Sequence, residues 1–303
     1  MIASSYVQQS AWGWQIAAYL FLGGLGGAVG ALGIGIERFV NKDGRIGLLS
    51  AMWGFVFLAV GSGLLVLDLL NPFNAIFFWR NPGSWIFWGI LSLSGYLVSS
   101  VLYSVACAKD SPFLRPIADT FPKLQEWQNV TGIVSIALGT FVTVYTGFLL
   151  SAAQGIPLWH NAGLPVLFTI SAFSTGCAFL MLALWSRRHE LHNLFNGIAK
   201  LDAALIGAEV VVLFALYNSA IHSGAAWYSV NSLLGNWVFV VGFLALGLIV
   251  PLAIELFEIM SDGESEASRM AARLLPLVSV FILIGGYLLR RFMLLGGYYQ
   301  FPW

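Results

Sequence analysis

The feature that most constrains this 303-residue chain is a succession of apolar runs, each long enough to cross a bilayer as a helix. Eight such spans can be placed, at Trp12–Ile36, Ile46–Leu70, Ser84–Ala106, Gln128–Ala152, Gly163–Trp185, Gly197–Asn218, Val230–Leu256 and Ala271–Phe292. Charged residues make up only 9% of the chain, where a soluble domain carries about a quarter. The expected fold is therefore an all-α integral membrane protein with eight transmembrane helices. A net charge of zero gives no electrostatic footprint for nucleic acid. Cys107 and Cys177 lie apart inside apolar runs, without iron–sulfur, zinc or disulfide spacing. The N-terminus has neither a basic region nor an obvious cleavage site, so no removable signal peptide is expected.

Loop charge sets the orientation. The loops after spans one, three, five and seven, with the start of span six, hold Arg38, Lys42, Arg45, Lys109, Arg115, Lys123, Arg187, Arg188, Lys200, Arg269 and Arg273. The opposite face has only Arg80, Arg290 and Arg291. The positive-inside rule then puts both termini outside. That outer face is poor in charge and rich in aromatic residues. It includes Trp12, Trp14, Phe77-Phe78-Trp79-Arg80, Trp159-His160, Trp227-Tyr228 and the Tyr298–Trp303 end, with His222 close by. An interfacial aromatic belt and a partner-docking surface explain this composition equally well.

The two halves echo each other at offsets of about 140 to 150 residues. Gly83-Ser84-Trp85-Ile86-Phe87 opens span three and Gly235-Asn236-Trp237-Val238-Phe239 opens span seven. Gly147-Phe148-Leu149-Leu150 ends span four and Gly286-Tyr287-Leu288-Leu289 ends span eight. A parallel duplication of two four-helix bundles is expected, residues 1–152 and 153–303. At this offset Tyr145 falls on Ile284 and Thr143 on Ile282, so polar groups of the first half have aliphatic counterparts. That asymmetry favours a single site in the first bundle.

Tyr145 and Thr146 lie roughly 10 Å inside the outer end of span four. A buried polar group in hydrocarbon requires a partner, which a neighbouring helix or a ligand would supply. Gln15 and Tyr19, one turn apart on span one, face the same direction. Asp68 closes span two near Arg80, so it is either a functional carboxylate or half of an ion pair. Asp202 and Glu209 share a face of span six and would carry protons inward through intervening water. The structural reading is preferred for Asp202 and the functional one for Glu209. Glu255 and Glu258 read as solvated at the inner end of span seven. The glycines of span one read as helix packing. The four histidines lie in or beside loops, which argues against a transmembrane haem. Neither a dinucleotide fingerprint nor a phosphate loop is present. Any electron carrier would then belong to another subunit. A tyrosine hydroxyl and a glutamine amide suit the carbonyl of a quinone held by apolar and aromatic rings, Trp85 among them.

These residues resemble the polysulfide-reductase membrane-subunit (NrfD-type) family of respiratory complexes. The matching stretches are Trp12-Gly13-Trp14-Gln15, Tyr19-Leu20-Phe21, Gly24-Leu25-Gly26-Gly27, Leu67-Asp68-Leu69, Asn81-Pro82-Gly83-Ser84 and Trp88-Gly89. The most specific runs from Tyr145-Thr146-Gly147-Phe148-Leu149-Leu150 through Pro157-Leu158-Trp159 to Pro165-Val166-Leu167-Phe168. The resemblance covers about the first 180 residues. It implies eight helices in two bundles, no haem or iron–sulfur cluster in this chain, and a menaquinone or ubiquinone site near the outer face. It also implies an extracytoplasmic ferredoxin-like iron–sulfur subunit beside a molybdopterin catalytic subunit, at a bacterial or archaeal cytoplasmic membrane. By position Tyr145 matches the family tyrosine that hydrogen-bonds the quinone, while Tyr19 stands where some members have histidine.

The expected function is quinol oxidation feeding a terminal reductase. Gln15, Tyr19, Tyr145, Thr146 and Trp85 would hold the head group. Asp68, Glu209 and Asp202 would handle protons, and Trp79, Arg80, Trp159, His160 and His222 would meet the partner. A transporter and a passive anchor are the alternatives. A sparse polar interior, with polarity gathered at one face, speaks against the transporter.

Overall fold

The computed structural model describes residues 6–68, 81–110, 115–120, 122–260 and 266–300. Within them the chain is chiefly helical. Eight long helices follow the apolar runs: α1 Trp14–Phe39, α2 Gly44–Asp68, α3 Trp85–Ala106, α4 Gln128–Ser151, α5 Gly163–Ala183, α6 His192–Ala220, α7 Val238–Met260 and α8 Glu266–Leu295. Seven of them are long and apolar enough to cross a membrane. The exception, α6, carries Lys200, Asp202 and Glu209 within its 29 residues.

The start of span seven differs from expectation. Span seven was expected from Val230, but Gly224–Leu234 is a separate short helix that stops at Gly235. Asn236 then starts α7, its Oδ1 accepting from the Val238 and Phe239 amides at 3.0 and 3.4 Å. Ser84 does the same for α3, its hydroxyl accepting from the Ile86 amide at 3.2 Å. Such side-chain caps satisfy amides that a helix start leaves free. The first part of α7, Val238–Ile249, is π-helical, and the α-helix resumes at Val250.

Helix α1 is the most enclosed of the candidate spans. It packs on α2 and α4 from its own half and on α5 and α8 from the other. Small residues allow these close approaches. A methyl group at Gly26 would meet Leu58 and the Gly54 carbonyl of α2, and one at Gly27 would meet the Gly139 carbonyl of α4.

The two ends of the chain meet. Tyr6–Gln8 pairs antiparallel with Tyr298–Gln300, and we call this end of the bundle the terminal face. Gln9 donates to the Leu294 and Trp12 carbonyls at 3.0 and 3.1 Å and accepts from the Trp12 amide at 2.9 Å. Trp12 stacks on Trp159 at 5.3 Å, and the Trp159 indole donates to the Met293 carbonyl at 2.7 Å. Trp159, expected at a docking surface, is therefore an interior residue that ties the α4–α5 connection to α8. Trp159→Phe keeps a stacking ring but orphans that carbonyl. It is expected to cost about 1–3 kcal/mol, read as a lowered unfolding temperature of the purified protein in detergent.

On the opposite face Arg187, after α5, pairs with Asp43 at 2.7 Å and with Glu190 at 3.0 Å. The hydrogen bond to Asp43 raises the Arg187 guanidinium above its ordinary range, so it stays charged.

Candidate functional site: two buried tyrosines and an arginine

The first-half site is built by three helix ends near the terminal face. The inner stripe of α4 repeats at helical spacing through Gly139, Val142, Thr143, Thr146 and Leu150, with Tyr145 beside it. Thr143 donates to the Gly139 carbonyl at 2.9 Å and Thr146 to the Thr143 carbonyl at 2.8 Å. Both threonine protons thus bond back into their own helix, a common use of threonine in apolar surroundings. Thr146 lines the site without offering it a proton.

The phenols differ. Tyr145 is 3% exposed and Tyr19 1%. Their hydroxyls interact across the α1–α4 contact, yet the Tyr19 oxygen makes no regularly aligned hydrogen bond with any described residue. Gly89 of α3 gives the Tyr145 ring its place. A methyl group there would overlap the phenol carbon and hydroxyl of Tyr145. One turn on, Phe148 of α4 stacks on Trp85 at 4.7 Å, with Trp85 still 38% exposed. Gln15 is half-buried and its Oε1 lies 2.8 Å from where a Gly13 methyl would sit, so its amide folds back over the start of α1. Asp68 is the half-buried last residue of α2. Tyr19, Tyr145 and Thr146 come together, with Trp85 of α3 stacked on Phe148 of α4 nearby. Gln15 stands towards the surface.

Ile284, the expected counterpart of Tyr145, is 50% exposed. The two positions face different surroundings, so the repeat register does not single out Tyr145. Its burial against Gly89 and Tyr19 does.

The second half holds charges whose surroundings differ from expectation. Arg290, expected among outer-face charges, has no exposed surface. Because α8 runs on to Leu295, Arg290 sits more than a turn inside. It donates to Ser171 Oγ at 2.8 Å, the Gly286 carbonyl at 2.9 Å and the Phe168 carbonyl at 3.0 Å, with its guanidinium over the Phe168 ring. The Ser171 hydroxyl also reaches the Glu209 carboxylate of α6. Further along α6, Asp202 accepts from Ser174 at 2.6 Å and lies beside Glu255 of α7. Glu255, expected in solvent, is fully buried, because Pro251 and Glu255 mark the face of α7 turned to the bundle. Asp202 Oδ2 and both Glu255 oxygens have no hydrogen-bond donor among the described residues. The expectation of a sparse polar interior fails here. Arg290, Ser171, Glu209, Ser174, Asp202 and Glu255 are all buried.

At the terminal face His160 and His222 are exposed, with His160 Nδ1 3.1 Å from the Ser151 carbonyl. His160 borders a recess of about 370 Å³ formed with Gln154, Asn161, Ser219 and Ser223. Trp79 and Arg80 lie outside the described residues.

Known proteins match along the whole chain. It is 28% identical to a protein NrfD homolog of Haemophilus influenzae, covering 94% of each protein. It is 26% identical to a polysulfide reductase component of Wolinella succinogenes, over 94% of this chain and 93% of that one. It is 24% identical to a selenate reductase component of Mesobacillus selenatarsenatis, over 98% of this chain and 76% of that one. The profile described as polysulphide reductase, NrfD, matches residues 4–302, and this multi-pass, helical protein belongs to that family.

Proposed function

We propose that this chain is the quinone-reactive membrane subunit of a respiratory oxidoreductase in a bacterial or archaeal cytoplasmic membrane. The terminal face is extracytoplasmic, in keeping with the basic loops at the opposite end. Residues 1–152 form a first four-helix bundle that holds the quinone site, and residues 153–303 a second. The matching caps Ser84 and Asn236 support that duplication.

Tyr145 and Tyr19 hold the head group of a menaquinol or ubiquinol, with Trp85 and Phe148 as the apolar wall. Oxidation to the quinone releases two electrons and two protons. The electrons pass to a ferredoxin-like iron–sulfur subunit docked outside and on to a molybdopterin reductase of the polysulfide or thiosulfate type. The names of the polysulfide and selenate reductase relatives support that assembly. Asp68 takes a proton at the rim. Glu209, Asp202 and Glu255 form a line by which protons move between the site and the cytoplasmic side. His160 and His222 contribute to the docking surface.

The observation that carries this reading is the pair of buried phenols, one with its oxygen left without a regular partner. In an apolar interior such a group is costly unless something binds it. The complex, purified through a tag on this chain, is titrated with the fluorescent head-group analogue 2-heptyl-4-hydroxyquinoline N-oxide. Saturable quenching at about one site per chain, reversed by menadione, is expected of a quinone pocket. Fluorescence that rises linearly throughout would overturn the reading.

The buried acids and Arg290 favour a second reading, ion transport by the second half. Substrate-dependent ion flux through the purified protein alone, without a redox partner, would select it.

A further inference from the structure

Arg290, Tyr145 and Tyr19 lie at one depth. Tyr19 is five residues from the start of α1, Tyr145 six from the end of α4, and Arg290 five from the end of α8. At 1.5 Å per residue each is about 8 Å inside the terminal face. They also converge laterally. A methyl group on Gly24 of α1 would lie 3.7 Å from Arg290 Nη2 and 3.9 Å from Thr146 Oγ1. On Gly23 it would lie 3.6 Å from Thr146 Cγ2 and 3.9 Å from the Tyr19 ring. The guanidinium and the Tyr19 ring thus border adjacent glycines of α1, with Thr146 beside both.

An arginine at this position demands an explanation. Its partners are a serine hydroxyl and two carbonyls, all uncharged, and its Nε has no acceptor among the described residues. The carboxylate whose charge it feels, Glu209, is reached through Ser171 and forms no ion pair with it within 4 Å among the described residues. Packing alone would be met by an apolar residue at lower cost, since a charge inside a bilayer is expensive. A fixed cation beside a head-group site has a use. As a quinol loses its first proton, a head-group oxygen becomes negative before the electrons leave for the iron–sulfur partner.

We propose that Arg290 is the fixed positive charge of the quinone site, a positioning residue that reaches over from the second half to hold the anionic head group beside Tyr145. Glu209, through Ser171, offsets that charge while the site is empty. The proposal rests on the reading of the tyrosine pair as a quinone site. The charge of the site comes from a helix other than those that supply its hydrogen bonds.

The test compares two ligands of similar shape. The purified complex is titrated with 2-hydroxy-1,4-naphthoquinone, an anion at neutral pH, and with neutral menadione. Arg290→Gln is expected to lower the anion-to-neutral affinity ratio about tenfold with menadione binding retained. Arg290→Lys should keep the ratio within about threefold of the native value. Glu209→Gln, which removes the offsetting acid, should raise it. Menadione binding shows that each variant is folded with its site intact. If Arg290→Gln does not fold, Glu209→Gln decides the matter by the same ratio. A ratio that stays at the native value in folded Arg290→Gln, or in Glu209→Gln where Arg290→Gln does not fold, overturns the role of Arg290. Failure of both ligands to bind the native complex overturns the quinone site itself.

Discussion

Replacing Tyr145 by Phe is expected to lower quinol-driven turnover of the assembled complex by roughly 10- to 100-fold. The ring keeps its contact with Gly89, so the α3–α4 packing stays as it is. Only the hydroxyl goes. A hydrogen bond that strengthens as charge grows on the head-group oxygen is worth about 1.5–3 kcal/mol, which sets the size of the effect. Turnover driven by a soluble dye that feeds the partner subunits directly should survive. Tyr19→Phe should have the smaller effect if Tyr145 is the primary donor. Unchanged quinol turnover in Tyr145→Phe would remove Tyr145 from the site.

The spans were legible because twenty or so apolar residues admit few other structures, and seven of the long helices satisfy that test. The glycine stripe of α1 was legible for a similar reason, since small residues on a membrane helix leave room for a neighbour's backbone. Depth along a helix was legible too, which put Tyr145 roughly 10 Å inside the outer end of its span. What sequence spacing does not contain is the rotation of each helix about its axis. Arg290 and Arg291 are adjacent near the end of an apolar run, a pattern that normally marks the interface. The signal that Arg290 is inside was the apolar Phe292–Leu295 stretch after it, which carries the helix more than a turn further. Glu255 gave no such signal. An acid near a helix end is most often solvated, and only the packing of α7 on α6 turns it towards Asp202. The outer aromatics were ambiguous because a buried tryptophan and a docking tryptophan look alike in sequence. Trp159 proved to be buried, while its neighbour His160 is exposed.

Gly89→Ala gives the sharpest geometric test of the site. Alanine is the better helix former by roughly 0.5–1 kcal/mol, so α3 itself should be strengthened. The added methyl group, however, enters space held by the Tyr145 phenol carbon and hydroxyl. An aromatic ring has no flexible tail to fold away, so Tyr145 must turn and its hydroxyl must leave Tyr19. A misplacement of about 1 Å costs on the order of 100-fold where reaction depends on alignment. Quinol turnover of Gly89→Ala should therefore fall at least as far as that of Tyr145→Phe, with the complex still assembled. Gly63→Ala on α2, where a methyl group meets nothing within 4 Å, should behave as the native protein. In a Tyr145→Ala background the Gly89 methyl has room, and the second substitution should cost little more. Coupling of that kind ties the loss to the ring and not to α3 as a whole. Native quinol turnover in Gly89→Ala would mean that the position of the Tyr145 hydroxyl does not govern the reaction.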